Sequence, residues 1–112
     1  MAYDTELADR LREVLATQAG LSEQRMFGGL AFLLHGHMAV AASGQGGLLL
    51  RCDPERTAEL VARPGADRFV MRGKAMDGWL HVATDAVADD ADLRRWVGQG
   101  VEYVRGLPPK QR

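Results

Sequence analysis

Three histidines, one cysteine and two serines are the side chains whose types could ligate a metal or attack a carbonyl. His35 and His37 stand two apart across Gly36, so on a strand their imidazoles would share a face and could meet one ion. A structural zinc site takes four ligands, and Cys52, Asp77 and His81 are all remote in sequence. The pair is therefore read as turn histidines open to solvent, with no metal and no cofactor expected. Ser22 and Ser43 both lack the Gly-x-Ser-x-Gly setting of an activated hydroxyl. Cys52 closes the apolar run Leu48-Leu49-Leu50-Arg51-Cys52, where a lone thiol packs as a small hydrophobe. Gly44-Gln45-Gly46-Gly47 precedes a strand rather than a helix, and no lysine follows it, so it reads as a hairpin turn and not as a phosphate loop. No catalytic set emerges, and the expectation is a protein that is not an enzyme.

Charge offers a second chemistry. Residues 94–112 carry five bases against one acid, Glu102, and Arg94, Arg95 and Arg105 are candidate phosphate contacts on a terminal helix. Asp89, Asp90 and Asp92 sit beside them and would oppose DNA. The whole chain has a formal net charge of −1 and a pI of about 6.3, unlike an electrostatic nucleic-acid binder. Direct DNA binding is the alternative reading, not the favoured one.

The most apolar stretch, Arg25 to Ser43, organises the elements that would position these groups. It forms two apolar runs broken by His35-Gly36-His37, read as a reversal between two strands. Gly28-Gly29 marks a bulge or a close backbone approach. Leu21 to Gln24 reads as a connector. Residues 48–52 make a third strand, completing an antiparallel meander. Before it, Asp4 caps a helix whose stripe is Leu7, Leu11, Val14 and Leu15, with Gly20 as the stop. After it, Asp53-Pro54-Glu55 starts a second helix with Ala58, Leu60, Val61 and Ala62 inward, ended by Arg63-Pro64-Gly65. Arg68–Arg72 and Trp79–Ala83 are a fourth and fifth strand, turned by residues 73–78 with Asp77-Gly78 as the local signal. A last helix carries Leu93, Trp96, Val97, Gly100, Val101 and Val104 at helical spacing. The tail, residues 107–112, is expected to fray.

Both faces of the first hairpin look apolar. Either a partner or second copy covers the outer face, or the terminal helix or a loop does. Leu80 and Val82 belong inside, so Trp79 and His81 alternate outward. With Phe27 they are the candidate partner-binding residues, while completion of the core stays open for Trp79.

The motif Arg25-Met26-Phe27-Gly28-Gly29, with Phe32, Gly36 and Met38, followed by Leu48 to Arg51, Pro64-Gly65, Phe69-x-Met71-x-Gly73-x-x-Met76-x-Gly78-Trp79 and Val82, resembles the N-terminal domain of the TfoX/Sxy family. The likeness runs from about Thr5 to Pro109. It implies a two-layer α/β fold with helices on one face of an antiparallel sheet, similar to type III secretion chaperones. It also implies a regulatory role, since full-length members regulate natural competence and act at promoters with a cyclic-AMP-responsive activator. Those members carry a second, C-terminal domain, and this chain looks like the N-terminal domain standing alone. The family motif brings no catalytic residue with it.

Length and composition agree with one domain over residues 1–112: 46% hydrophobic and 26% charged residues suit a folded chain. The polar N-terminus is not a signal peptide and no run is long enough to span a membrane, so a cytoplasmic location is expected. The fold expected is α+β, a two-layer sandwich with a five-stranded antiparallel sheet in the order α-β-β-β-α-β-β-α. The function expected is a non-enzymatic regulatory module that contacts a protein partner or a second copy of itself. A small-molecule or metal sensor using the open sheet face with His35, His37 or His81 is a weaker alternative.

Overall fold

The computed structural model describes residues 3–26 and 28–108. Helix α1, Thr5–Leu15, starts where Asp4 accepts a hydrogen bond from the Leu7 amide at 3.1 Å, and it buries Leu7, Ala8, Leu11 and Leu15. A meander of β1 (Leu21–Met26), β2 (Gly29–Leu34), β3 (His37–Ala42) and β4 (Leu48–Arg51) follows. A 3-10 turn, Pro54–Arg56, leads into the short helix α2, Thr57–Val61. The hairpin of β5 (Ala66–Met71) and β6 (Lys74–Val82) comes next. A second 3-10 turn then leads into α3, Asp90–Arg105, capped by Asp89. Among the described residues, no helix is long and apolar enough to cross a membrane.

The sheet is antiparallel and six-stranded, in the order β1-β2-β3-β4-β6-β5. The α+β layering agrees with expectation; the strand count of five does not. The additional strand is β1, which lies where a connector is expected. Its residues Ser22 to Arg25 are all exposed, so it shows no alternation of apolar and polar positions. It is an edge strand, and charge along an edge blocks further pairing. Arg12 of α1 holds it by a 2.8 Å ion pair to Glu23.

Turn chemistry sets the registers. Met26 pairs with Gly29, and Gly28 between the strands stands at φ +77°. Leu34 pairs with His37 across His35 and Gly36, both at positive φ (51° and 87°), which is the two-residue turn that matches strand twist. In the second hairpin the turn is Arg72-Gly73, again both at positive φ, with Met71 opposite Lys74. Asp77-Gly78 therefore lies inside β6, not at the reversal. The pairing of β5 with β6 shifts between Arg68 and Phe69, so residues 77–79 bulge from the ladder.

The inner face carries the main core: Leu30, Phe32, Leu34, Val40, Ala42, Leu48, Leu50, Leu80 and Val82 meet the apolar stripes of α1 and α3. Trp96 lies in this core, with Arg63 over its ring. In α2 the buried residues are Thr57 and Leu60, while Ala58 and Ala62 are exposed, because the helix is little more than one turn long. The tail is held further than expected: Leu107 packs on the core and the Pro108 carbonyl accepts from His37 Nε2 at 2.6 Å. Residues 109–112 of the expected frayed tail lie outside the described residues.

A second bulge seats α3. Phe32 pairs with Val40 but Leu33 pairs with Met38, leaving Ala39 without a partner on β2. Ala39 and Val40 both turn into the core, and Met38 is carried to the opposite face. Gly100 of α3 sits against this bulge: a Cβ there would come within 2.5 Å of the Ala39 carbonyl oxygen and 3.3 Å of the Arg51 carbonyl oxygen. Gly98, two residues earlier, has nothing within 4 Å of such a Cβ. Gly98→Ala should therefore stabilise the protein by up to about 1 kcal/mol, the ordinary helix gain. Gly100→Ala should destabilise it by about 1–3 kcal/mol, because the helix must lift from the sheet. Urea unfolding of the two variants checks the opposite signs.

Candidate functional site

The face of the sheet turned away from the main core is built from the alternate residues of the same strands. Ala31 and Leu33 of β2 and Ala41 of β3 form a separate buried cluster, against which Met26, Met38 and Leu49 pack. Among the described residues, no helix residue belongs to this cluster. On β4, Leu48 and Leu50 are fully buried inside, so Leu49 and Arg51 project outward, paired in register with His81 and Trp79 of β6.

These side chains line a cavity of about 420 Å³. Leu33, Met38, Ala41 and Leu49 come from its central strands, Met26 from β1, and Phe69, Met76 and Trp79 from the β5–β6 hairpin. Ser43, Gly44 and Gln45 of the β3–β4 turn complete its lining. Among the described residues, Arg51 is the one charged side chain in that lining, and no Asp or Glu belongs to it. The Arg51 guanidinium carbon lies 5.3 Å from the Trp79 ring centroid and 5.4 Å from that of Tyr103. Stacking of a guanidinium on ring faces fixes its plane and leaves its edge N–H groups to hydrogen-bond elsewhere.

Trp79 is placed by a local network. Gly78, buried and at φ +88°, accepts from the Cys52 amide at 2.9 Å and donates its own amide to Thr57 Oγ1 at 2.8 Å. The Thr57 hydroxyl in turn donates to the Pro54 carbonyl at 2.8 Å. A buried hydroxyl is thereby satisfied as donor and acceptor, and the β6 bulge is pinned to the start of α2. Asp53, which accepts from the Glu55 amide at 2.9 Å, fixes that start.

The expected site residues separate on the structure. Phe27 lies outside the described residues. Trp79 is half-buried on the cavity wall, and its place is the outer face rather than the main core. His81 is on the same face, with Nε2 donating to the Gly46 carbonyl at 2.8 Å, so its ring clamps the β3–β4 turn. Gly47 lies beneath that ring, where a Cβ would come within 2.8 Å of Nε2. His35 is exposed at the hairpin turn and His37 is bonded to Pro108, so the two do not form a same-face pair. Among the described residues, no three His, Cys, Asp or Glu side chains gather as a metal site.

Arg94, Arg95 and Arg105 are exposed on α3 and away from the cavity. Arg95 pairs with Asp92, and Arg105 donates through Nε to Gln18 Oε1 at 3.0 Å. Acids crowd the start of the same helix, where Asp90 pairs with Arg10 at 2.9 Å. Ser43 Oγ accepts from the Gln45 amide at 3.1 Å. Cys52 Sγ lies 3.9 Å from Thr57 Oγ1, buried, and burial pushes its thiol pKa up.

Sequence reasoning named Met26, Met38, Leu49 and Arg51 as parts of the family motif and not as site residues. Period-two alternation along Leu48-Leu49-Leu50-Arg51 could have placed Leu49 and Arg51 on the face of Trp79. Nothing in the sequence marks the bulge that brings Met38 there.

Architecture and site together define, among the described residues, an α+β domain with one helix-covered sheet face and an opposite face that holds an apolar cavity with one cation, Arg51, which Tyr103 of α3 also meets. Residues 13–103 match the model of the TfoX N-terminal domain, and the chain belongs to that family. No curated protein and no solved structure matches it.

Two outcomes test this reading of the loop. Thr57→Val should cost about 1–3 kcal/mol by orphaning the Gly78 amide, and Thr57→Ser should recover most of it. The second is a pH effect. Folding holds the Cys52 thiol neutral past its ordinary value of 9.0, whereas the unfolded chain ionises there. Stability is unaffected below that value and falls as pH rises above it. Urea midpoints of the wild type and Cys52→Ala, compared between pH 7 and 10, should show a steeper alkaline decline in the wild type.

Proposed function

We propose that this domain is a non-enzymatic regulatory module, acting through protein–protein contact in transcription or competence regulation, with the uncovered sheet face as its contact surface. The observation that carries the reading is the apolar outer cluster of Leu33, Ala41, Met38 and Leu49, to which no helix contributes a residue. A concave apolar patch bordered by a half-buried Trp and an Arg has the composition of a binding anchor. Methionines on such a surface adapt to more than one shape. Cys52, Ser43 and His81 each serve local structure, which supports the non-enzymatic part of the reading. Resemblance to competence regulators supplies the process.

Substitution of Met38 by Lys tests the surface, because a lysine stem can reach solvent from this half-buried position without unfolding the sheet. The wild type should self-associate with rising concentration in light scattering, or retain a protein from native lysate. Met38→Lys should lose that association at an unchanged melting temperature. A wild type that stays monomeric and retains the same proteins as Met38→Lys would overturn the reading.

The DNA alternative has its own check. Fluorescence anisotropy of a labelled duplex at low and moderate salt should show no salt-sensitive binding, in keeping with the pairing of Arg95 and Arg105 on α3. Binding that weakens steeply with salt and vanishes when Arg94, Arg95 and Arg105 are changed to Ala would replace the protein-contact reading.

A further inference from the structure

Arg51 is the charged side chain of the outer-face cavity and differs from the arginines that form ion pairs. Arg10, Arg12, Arg56, Arg68 and Arg95 each meet a carboxylate at the surface. Among the described residues Arg51 has no such partner; its guanidinium is instead stacked on Trp79 and Tyr103. It is only partly exposed, at the wall of a cavity to which no acid among the described residues contributes. A partly desolvated cation is stabilised when an anion meets it, and a planar guanidinium presents two parallel N–H donors to a carboxylate. The remaining wall is apolar, so the anion that fits must carry a hydrophobic body.

We propose that this cavity binds a small amphipathic monocarboxylate, its carboxylate on the Arg51 edge and its apolar body against Leu33, Met38 and Leu49. This deepens the reading of the uncovered face as a binding face, and rests on it. Size favours a small molecule over a flat protein surface at this point: the volume of about 420 Å³ falls within the range of ligand clefts. Charge sets the selection. The chain as a whole carries a formal net charge of −1, yet the ionisable group of this cavity is a cation. Pre-stacking on two rings means the guanidinium is already immobilised, so little side-chain freedom is lost on binding. The Trp79 ring, next in sequence to the anchored Gly78, gives the body of the ligand an aromatic wall.

The test uses the full chain labelled with nitrogen-15 and a pair of isosteric probes, 1-naphthylacetate and its neutral amide, 1-naphthylacetamide. Amide shifts are followed during titration of each. The acetate should move the amides of Leu33, Ala41 and Leu49 and bind about tenfold or more tighter than the amide, as a charge-assisted hydrogen bond requires. Arg51→Met keeps the stem and removes the charge, and the same spectra report whether it remains folded. In that variant the two probes should bind equally. The proposal is overturned if the wild type binds both probes equally, if neither moves the outer-face amides, or if the acetate keeps its advantage in Arg51→Met. The first two outcomes need no variant. The result is separable from the protein-contact reading. If naphthylacetate fails while Met38→Lys still abolishes association, only the ligand proposal falls. If naphthylacetate binds and no association exists, the cavity stands and the protein-contact function does not.

Discussion

The contact between Gly100 of α3 and the carbonyl of Ala39 is the constraint on which the two faces of the sheet jointly depend. It lets a helix backbone approach a strand backbone with no side chain between them. That approach exists because β3 carries one residue too many for its partner. The bulge feeds Ala39 and Val40 into the core in succession, filling the space under α3. Beyond the bulge the alternation is reversed, so Met38 emerges on the far side. One extra residue thus closes the core and furnishes the cavity. A regular β3 would direct Met38 inward against α3 and offer the outer face only the small side chains of Ala39 and Ala41 between Leu33 and Leu49.

The β6 bulge makes a complementary contribution at the other end of the site. Glycine at position 78 takes up the left-handed backbone without strain, and the Thr57 hydroxyl replaces the ladder partner that the bulge removes from its amide. Because Thr57 also bonds to the Pro54 carbonyl, the geometry of Trp79 is tied to the start of α2 rather than to neighbouring strand pairs alone. Arg51 then rests on the ring of a residue that follows this anchored backbone. The site is built on strands and one anchored loop, an arrangement that limits its freedom to rearrange.

Much of the fold was legible because it rests on local signals. The stripes of α1 and α3, with the Asp4 cap of the first, gave both helices, and Trp96 fell on the inner stripe where it is buried. His35-Gly36 marked its reversal, and the Leu80 and Val82 alternation correctly sent Trp79 and His81 outward. The failures share a cause: their signals lie in other parts of the chain. Strand β1 is polar along its length because it is an edge, so only its pairing with β2 reveals it. Asp77-Gly78 has the chemistry of a turn but sits in a bulge whose bonds come from Cys52 and Thr57. For the site, Trp79 could be read from alternation, whereas Met38 required knowledge of a register shift and Arg51 of the rings that meet it.

The ordering of the strands has a kinetic corollary. β1 pairs with β2 and β2 with β3 as neighbours in sequence, and residues 43–47 join β3 to β4, so the meander can zip from neighbouring segments. β6 reaches β4 only after residues 52–78 have been drawn into a closed loop, a longer search with a larger entropic cost. The β4–β6 joint is therefore the late seam of this sheet, and it runs directly through Arg51 and Trp79. During synthesis, the outer cluster around Leu33 can assemble before its aromatic wall arrives, and any molecule that stabilises the finished cavity would also hold that seam shut.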